Sequence, residues 1–187
     1  MKRREGRRDE ESRDPAEQAR DICLRLLAAR PRTYIELADA LTRRGVPDNV
    51  IGEVLDRYRE VGMIDDAAFA RAWVESRHRL KRLSKRALSS ELRRKGVDTD
   101  FVDEALEQID PDDERRAARG LVDKKLRGMS STPPEAIFRR LVGMLARKGY
   151  PANVAVGVVK EALAEREETA ELAEAIDVDA LDEERLG

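Results

Sequence analysis

Leu37-Ala38-Asp39-Ala40-Leu41-Thr42-Arg43-Arg44-Gly45-Val46 is the stretch that decides the fold, because the chain repeats it twice. Its second copy is Leu88-x3-Leu92-x-Arg94-Lys95-Gly96-Val97, and its third is Leu141-x3-Leu145-x-Arg147-Lys148-Gly149-Tyr150. The glycines lie 51 and then 53 residues apart, at 45, 96 and 149. Downstream the register holds without gaps: Val50, Val54 and Leu55 match Phe101, Ala105 and Leu106, and then Val154, Val158 and Val159. A Leu-x3-Leu pair alone is a weak signal. Some ten matched positions in three copies mark an internal repeat, in which each unit buries its apolar face against its neighbours. Leucines four apart share one helix face, and the glycine suits the left-handed residue that ends a helix.

The same grammar extends outward. Asp14-Pro15-Ala16-Glu17 opens a helix, with Asp14 as cap and Pro15 at the first helical position. Ala19, Ile22, Cys23, Leu26 and Leu27 form its apolar stripe, and Pro31 closes it. Thr33 and Glu36 are spaced as a capping box. A third helix starts near Asp48 and stops at Gly62. Asp65 or Asp66 caps a long helix carrying Phe69, Ala72, Trp73 and Leu80 inward, and Ser84 caps the next. Asp110-Pro111 opens the first helix of the third copy, and Thr132-Pro133-Pro134-Glu135 restarts the chain in the manner of Asp14-Pro15. No period-two alternation or Asn-Gly hairpin signal competes. The prediction is an all-α chain of three tandem three-helix repeats: 14–62, 63–109 and 110–165. A disordered arm at 1–13 precedes them and an acidic tail at 166–187 follows.

Composition agrees. Of 187 residues, 41% are charged and only 4% aromatic, which suits helices with much surface rather than one large core. The net charge of −2 conceals segregation. Arg71–Lys95 holds ten Lys or Arg against two acids; Asp98–Glu114 holds nine acids and no Lys or Arg; from Glu161 onward there are eleven acids and two arginines. A single cysteine, Cys23, permits no internal disulfide and fits a reducing cytoplasm. The N-terminus shows no signal-peptide pattern, and no run approaches a membrane span.

Catalytic chemistry finds no foothold. His78 is the only histidine and reads as a solvated helix residue; Cys23 reads as a buried core thiol. Neither has partners for a zinc site or a Cys–His pair. There is no glycine-rich phosphate loop. Asp65-Asp66 and Asp112-Asp113 sit at predicted helix starts, where capping accounts for them. No cofactor and no metal are expected. The feature that capping does not exhaust is basic. Arg77, Arg79, Lys81, Arg82, Lys85 and Arg86 span a helix end, a turn and a helix start, and Arg93, Arg94 and Lys95 add a second cluster. These are the candidate partner-binding residues, suited to phosphates or an acidic protein groove. Arg139, Arg140, Arg147 and Lys148 are the next place to look.

Gly62-Met63-Ile64-Asp65-Asp66-x2-Phe69-Ala70-x2-Trp73-Val74, followed by Arg77 and then Glu91-Leu92-x2-Lys95-Gly96-Val97, resembles the signature of the bacterial RecX family, regulators of the recombinase RecA. The likeness covers about residues 16–163. Where that family usually has a glycine before the middle helix of the second repeat, this chain has Arg82-Leu83-Ser84. The resemblance implies an elongated, curved repeat array; a monomer is expected, and the residue inventory predicts that it is not an enzyme. It implies binding to RecA and to its filament on single-stranded DNA, inhibition of that filament's activities in DNA repair and the SOS response, and at most weak direct contact with DNA. The competing sequence reading is a helix-turn-helix transcriptional regulator. It is disfavoured because the would-be recognition helix carries Asp48, Glu53, Asp56 and Glu60 against Arg57 and Arg59. One outcome follows from the residue inventory: purified protein with magnesium leaves DNA uncut. Cleavage that disappears on changing Asp65 or Asp66 to Asn would contradict this reading.

Overall fold

A computed structural model describes residues 14–129 and 132–183, with side chains as far as Glu167. Among the described residues there are nine helices and no strand. They are α1 (Pro15–Ala29), α2 (Tyr34–Thr42), α3 (Asp48–Glu60), α4 (Asp66–Lys81), α5 (Lys85–Arg94), α6 (Thr99–Glu107), α7 (Pro111–Leu126), α8 (Pro134–Arg147) and α9 (Ala152–Glu183). The described residues form two compact units, one reaching to Ser76 and including Ser89–Gln108, the other comprising Arg77–Leu88 and the described residues from Ile109 onward. Helices α4 and α5 therefore contribute to both. The arm expected at 1–13 lies outside the described residues.

The repeated leucines carry the packing. Leu37, Leu41, Leu88, Leu92, Leu141 and Leu145 are all 0% exposed. Each such burial is worth about 1.5–3 kcal/mol of transfer free energy. In the first unit Leu37 and Leu41 meet Ala19, Ile22 and Cys23 of α1 and Ile51, Val54, Leu55 and Tyr58 of α3. In the second, Leu141 and Leu145 meet Ala118 and Val122 of α7 and Ala155, Val158 and Val159 of α9. Cys23 sits inside this packing, and burial pushes its thiol up to about 11. It therefore stays a protonated core group at neutral pH.

Each middle helix ends the same way. Val46 N–H donates to Leu41 C=O and Gly45 N–H to Thr42 C=O; the pairs recur as Val97 to Leu92 with Gly96 to Arg93, and as Tyr150 to Leu145 with Gly149 to Ala146. This is the Schellman pattern, which requires a left-handed residue. The three glycines have φ of 76, 75 and 88°. Several starts carry a side-chain cap. Asp14 accepts from Ala16 N–H, Thr33 and Glu36 form the full capping box, and Asp98 and Asp110 cap α6 and α7.

Successive motifs meet through the start of one middle helix and the end of the next. In the first unit the Thr33 hydroxyl donates to Lys95 C=O at 2.6 Å while accepting from Glu36 N–H at 3.1 Å. Asp66, from the start of α4, accepts the Tyr34 N–H at 3.0 Å. In the second unit the corresponding parts are Ser84, whose N–H donates to Lys148 C=O at 3.1 Å, and Glu114, which accepts the Lys85 N–H at 2.8 Å. Thr33 and Ser84 are both 0% exposed, so each hydroxyl must be satisfied internally. The position equivalent to them in the third copy is Ile137, buried inside α8. The middle helix of the third motif begins at Pro134, three residues before Ile137.

Several local expectations change. Asp65 is the cap of α4, accepting from Ala68 N–H at 2.8 Å, whereas Asp66 reaches across to Tyr34. Leu80, expected inward, is 72% exposed; the buried residues of α4 are Phe69, Ala70 and Val74. His78 is half-buried rather than solvated, and its Nδ1 lies 3.0 Å from Leu83 C=O across the turn after α4. Pro133 occupies the cap position of α8 and supplies no side-chain bond, so this start differs from that at Asp14. Helix α9 runs on to Glu183, past the predicted boundary at 165.

The glycines offer a graded test. A Cβ on Gly45 would meet nothing within 4 Å, whereas one on Gly96 would come within 2.5 Å of the Ile35 Cβ. Gly45→Ala should cost only the left-handed penalty of about 1–2 kcal/mol. Gly96→Ala should add an overpacking cost of about 1–3 kcal/mol. Equal losses in urea denaturation would show that the Gly96 turn does not pack on Ile35.

Candidate functional site

The Gly62–Trp73 stretch is structural at its base. Gly62, with φ of 72°, closes α3 through Met63 N–H to Tyr58 C=O. Asp65 then starts α4 and Asp66 ties that start to α2. Burial raises the Asp66 carboxyl above its ordinary value, against the Tyr34 N–H and the nearby Arg59, which lower it. Phe69 and Trp73 stack at 5.5 Å between ring centres. Trp73 Nε1 donates to Glu91 at 2.8 Å, and Lys95 Nζ lies 4.4 Å from the centre of the Trp73 ring. This geometry anchors the aromatic pair within the first unit.

Lys95 completes the same cluster. Its ammonium donates to Glu36 Oε1 at 2.7 Å, and Arg30 reaches both Glu36 oxygens at 3.3 Å. Lys95 and Glu36 side chains are each only 19% exposed. Burial acts to raise the Glu36 carboxyl, but the hydrogen bonds from Lys95 and Arg30 outweigh it and hold the group below its ordinary range.

The candidate cations fall into two sets. Arg77, Arg79, Lys81, Arg82, Lys85 and Arg86 belong to the second unit; Arg93, Arg94 and Lys95 belong to the first. Arg79, Lys81, Arg82, Arg86, Arg93 and Arg94 are exposed, while Arg77, Lys85 and Lys95 are half-buried. Arg94 Nε donates to Ser90 C=O at 3.3 Å. Arg82, in the turn between α4 and α5, has a φ of +49°. Its carbonyl accepts from the Tyr150 hydroxyl at 2.9 Å, and its guanidinium fills the space a Cβ on Gly120 would need. Lys148 Nζ donates to Lys81 C=O at 2.7 Å. The turn's backbone is thus clamped, and Arg79, Lys81 and Arg86 project from a fixed frame.

The second unit also holds a basic cleft of about 870 Å³ between α7 and α8. Lys124, Lys125, Arg139, Arg140 and Arg147 line it over Leu121, Met129 and Met144, and no acid does. Arg139, Arg140 and Arg147 were candidates by sequence. Lys124 and Lys125 were not, because they sit at the end of α7 as ordinary dipole-complementing residues; only the packing of α7 on α8 sets them beside the arginines. Among the described residues no group of three His, Cys, Asp or Glu side chains could hold a metal, and no helix is long and apolar enough to cross a membrane.

Tandem three-helix motifs with basic surfaces define a class of helical repeat protein. Comparison with known proteins narrows it. Residues 19–57 match the first three-helix domain of RecX and residues 65–106 match the second. The chain is 52% identical over 162 residues to the regulatory protein RecX of Streptomyces lividans, covering 87% of this chain and 86% of that one. It is 48% identical over 168 residues to that of Mycolicibacterium smegmatis, covering 88% and 89%. A crystal structure of RecX from Lactobacillus salivarius superposes with a TM-score of 0.72 at 18% identity, over 79% of this chain and 96% of that one, and shares the fold. This chain belongs to the RecX family of regulatory proteins.

The Glu36 cluster predicts a pH dependence. A carboxyl held below its unfolded value, about 4.5, contributes stability that is present above that pH and lost as pH falls through the folded value. Glu36→Gln keeps the capping geometry but removes the charge. The parent should be more stable than this variant at neutral pH, with the gap closing as pH drops below about 4.5. A gap independent of pH would show that the Lys95–Glu36 pair contributes nothing as an ion pair.

Proposed function

We propose that this protein binds RecA and the RecA filament on single-stranded DNA and restrains its ATP hydrolysis, strand exchange and co-protease activity during DNA repair and the SOS response. One observation carries the reading: 52% identity, over 87% of the chain, to a protein named as the regulator RecX. Restraint of a filament needs no reaction chemistry in the ligand, only a surface that holds subunits in place. Exposed cations on a clamped turn suit an acidic protein face or a phosphate backbone. On this reading the protein works in the cytoplasm as a monomer, without cofactor or metal, and its direct contact with DNA is weak.

Lys95 and Arg82 are poor probes because both also support the fold. Arg79, Lys81 and Arg86 are better ones because their side chains are exposed. Changing these three to Ala should raise the amount of protein needed to inhibit RecA ATPase on single-stranded DNA by about tenfold, close to 1.4 kcal/mol of binding. Helical circular dichroism and the melting temperature should stay nearly unchanged. Inhibition by the parent should fade with salt, since charges are screened beyond about 8 Å at physiological ionic strength. Arg3, Arg4 and Arg7 to Ala is the control, with a smaller effect. A triple variant that inhibits like the parent at every salt concentration would exclude this turn and move the search to Lys124, Arg139 and Arg140 of the cleft.

A further inference from the structure

The first unit carries a groove of about 710 Å³ whose character is opposite to that of the basic surfaces. Its apolar part includes Ile35 of α2 and Phe101 of α6, which are 43% and 41% exposed. Thus two of the six large exposed hydrophobic side chains of the described residues line one groove. Four carboxylates, Asp65, Asp66, Asp98 and Asp100, line the same groove against one cation, Arg59. That cation is already stacked on Tyr34, 4.2 Å from the ring centre.

The repeat shows that the fold does not require this. The positions of Asp98 and Asp100 are filled by Pro47 and Asn49 in the first copy and by Pro151 and Asn153 in the third. Phe101 stands where the other copies have Val50 and Val154, both of which pack against their cores. The position of Ile35 holds Arg86 in the second copy. The first copy has a single acid at this helix start, Asp48, and only the second motif combines two aspartates there with a half-exposed phenylalanine in place of a valine. Capping explains Asp98, which accepts the Asp100 N–H at 3.0 Å, but asparagine or serine would cap as well. An acid in the first turn, Asp100, also complements the helix dipole, but neither effect calls for the exposed ring. An apolar patch rimmed by charge of one sign is the signature of a docking surface.

We infer that this groove docks a short basic segment of a partner protein, with one bulky apolar side chain seated against Ile35 and Phe101 and flanking Lys or Arg side chains paired with Asp98, Asp100 and Asp65. The charge decides the partner, since phosphate chains and acidic peptides are repelled here. The inference concerns a different surface from the cationic turn and stands or falls independently of it.

The test uses the full chain and a fluorescein-labelled synthetic peptide, Lys-Arg-Phe-Arg-Lys within a Gly-Ser frame, followed by fluorescence anisotropy. Two control peptides carry Ser for Phe, or Glu for each cation. Saturable binding is expected for the first peptide, about tenfold weaker binding for the Ser peptide, and none for the Glu peptide. Asp98→Asn with Asp100→Asn keeps the cap and should weaken binding by about tenfold, as should Phe101→Ala, with unchanged circular dichroism. Amide NMR shifts on titration should concentrate at Gly62, Gly96 and Phe101. Three results would each overturn the inference: no saturation with the Phe peptide, equal binding of the Ser peptide, or equal binding by the Asn variant.

Discussion

Everything in this molecule hangs on the way the buried start of one middle helix receives the glycine turn that ends the next. Thr33 and Ser84 are the receiving residues, and the carbonyls of Lys95 and Lys148 are what they receive. Gly96 and Gly149 lie against Ile35 and Ala87 at distances no side chain would permit. An acid from the first helix of the following motif, Asp66 or Glu114, satisfies the first helical N–H beside each receiver. The constraint is one of hydrogen bonding. A helix start leaves N–H groups unpaired, and burying it against a neighbour is tolerable only if that neighbour brings acceptors. The repeat supplies them from the next copy. By contrast a Cβ on Gly45 would meet open space, and the third motif puts Ile137 where a receiver would stand.

Once the backbone is held by this device, surface residues are free to differ. The first junction adds Lys95, Glu36, Arg30 and the Phe69–Trp73 stack, an ion pair and aromatic cluster that absorbs its own charge. At the second junction the clamped turn at Arg82 and the α7–α8 cleft present cations outward. One architecture therefore carries one junction with acidic and apolar character and another with basic character. That difference is what gives a repeat protein several distinct faces for a partner without changing its fold.

Much of the fold was legible in the chain because its signals are local. The Gly45, Gly96 and Gly149 turns, the Thr33 capping box and the Leu-x3-Leu stripes each declare themselves within a few residues. What was not legible depends on non-local packing. Adjacent aspartates at a helix start look alike, yet Asp65 caps its own helix and Asp66 caps another, 32 residues away in the chain. Leu80 matched the apolar period of α4 and lies exposed, because the stripe that packs runs through Phe69, Ala70 and Val74. The candidate site was legible only as a charge excess. Periodicity gives no means of telling a paired lysine such as Lys95 from an outward one such as Lys81, nor of foreseeing that Lys124 and Lys125 would stand beside Arg139 and Arg140.

The central functional claim is that a family member built this way acts by holding a nucleoprotein filament. The most direct measurement is equilibrium binding of the purified full chain to RecA filaments assembled on immobilised single-stranded DNA with a non-hydrolysable ATP analogue, read by biolayer interferometry across a salt series. The account predicts saturable binding to the filament that weakens with salt and far exceeds binding to the same DNA without RecA. Binding to bare DNA as strong as to the filament, or no binding to the filament at any salt concentration, would contradict it.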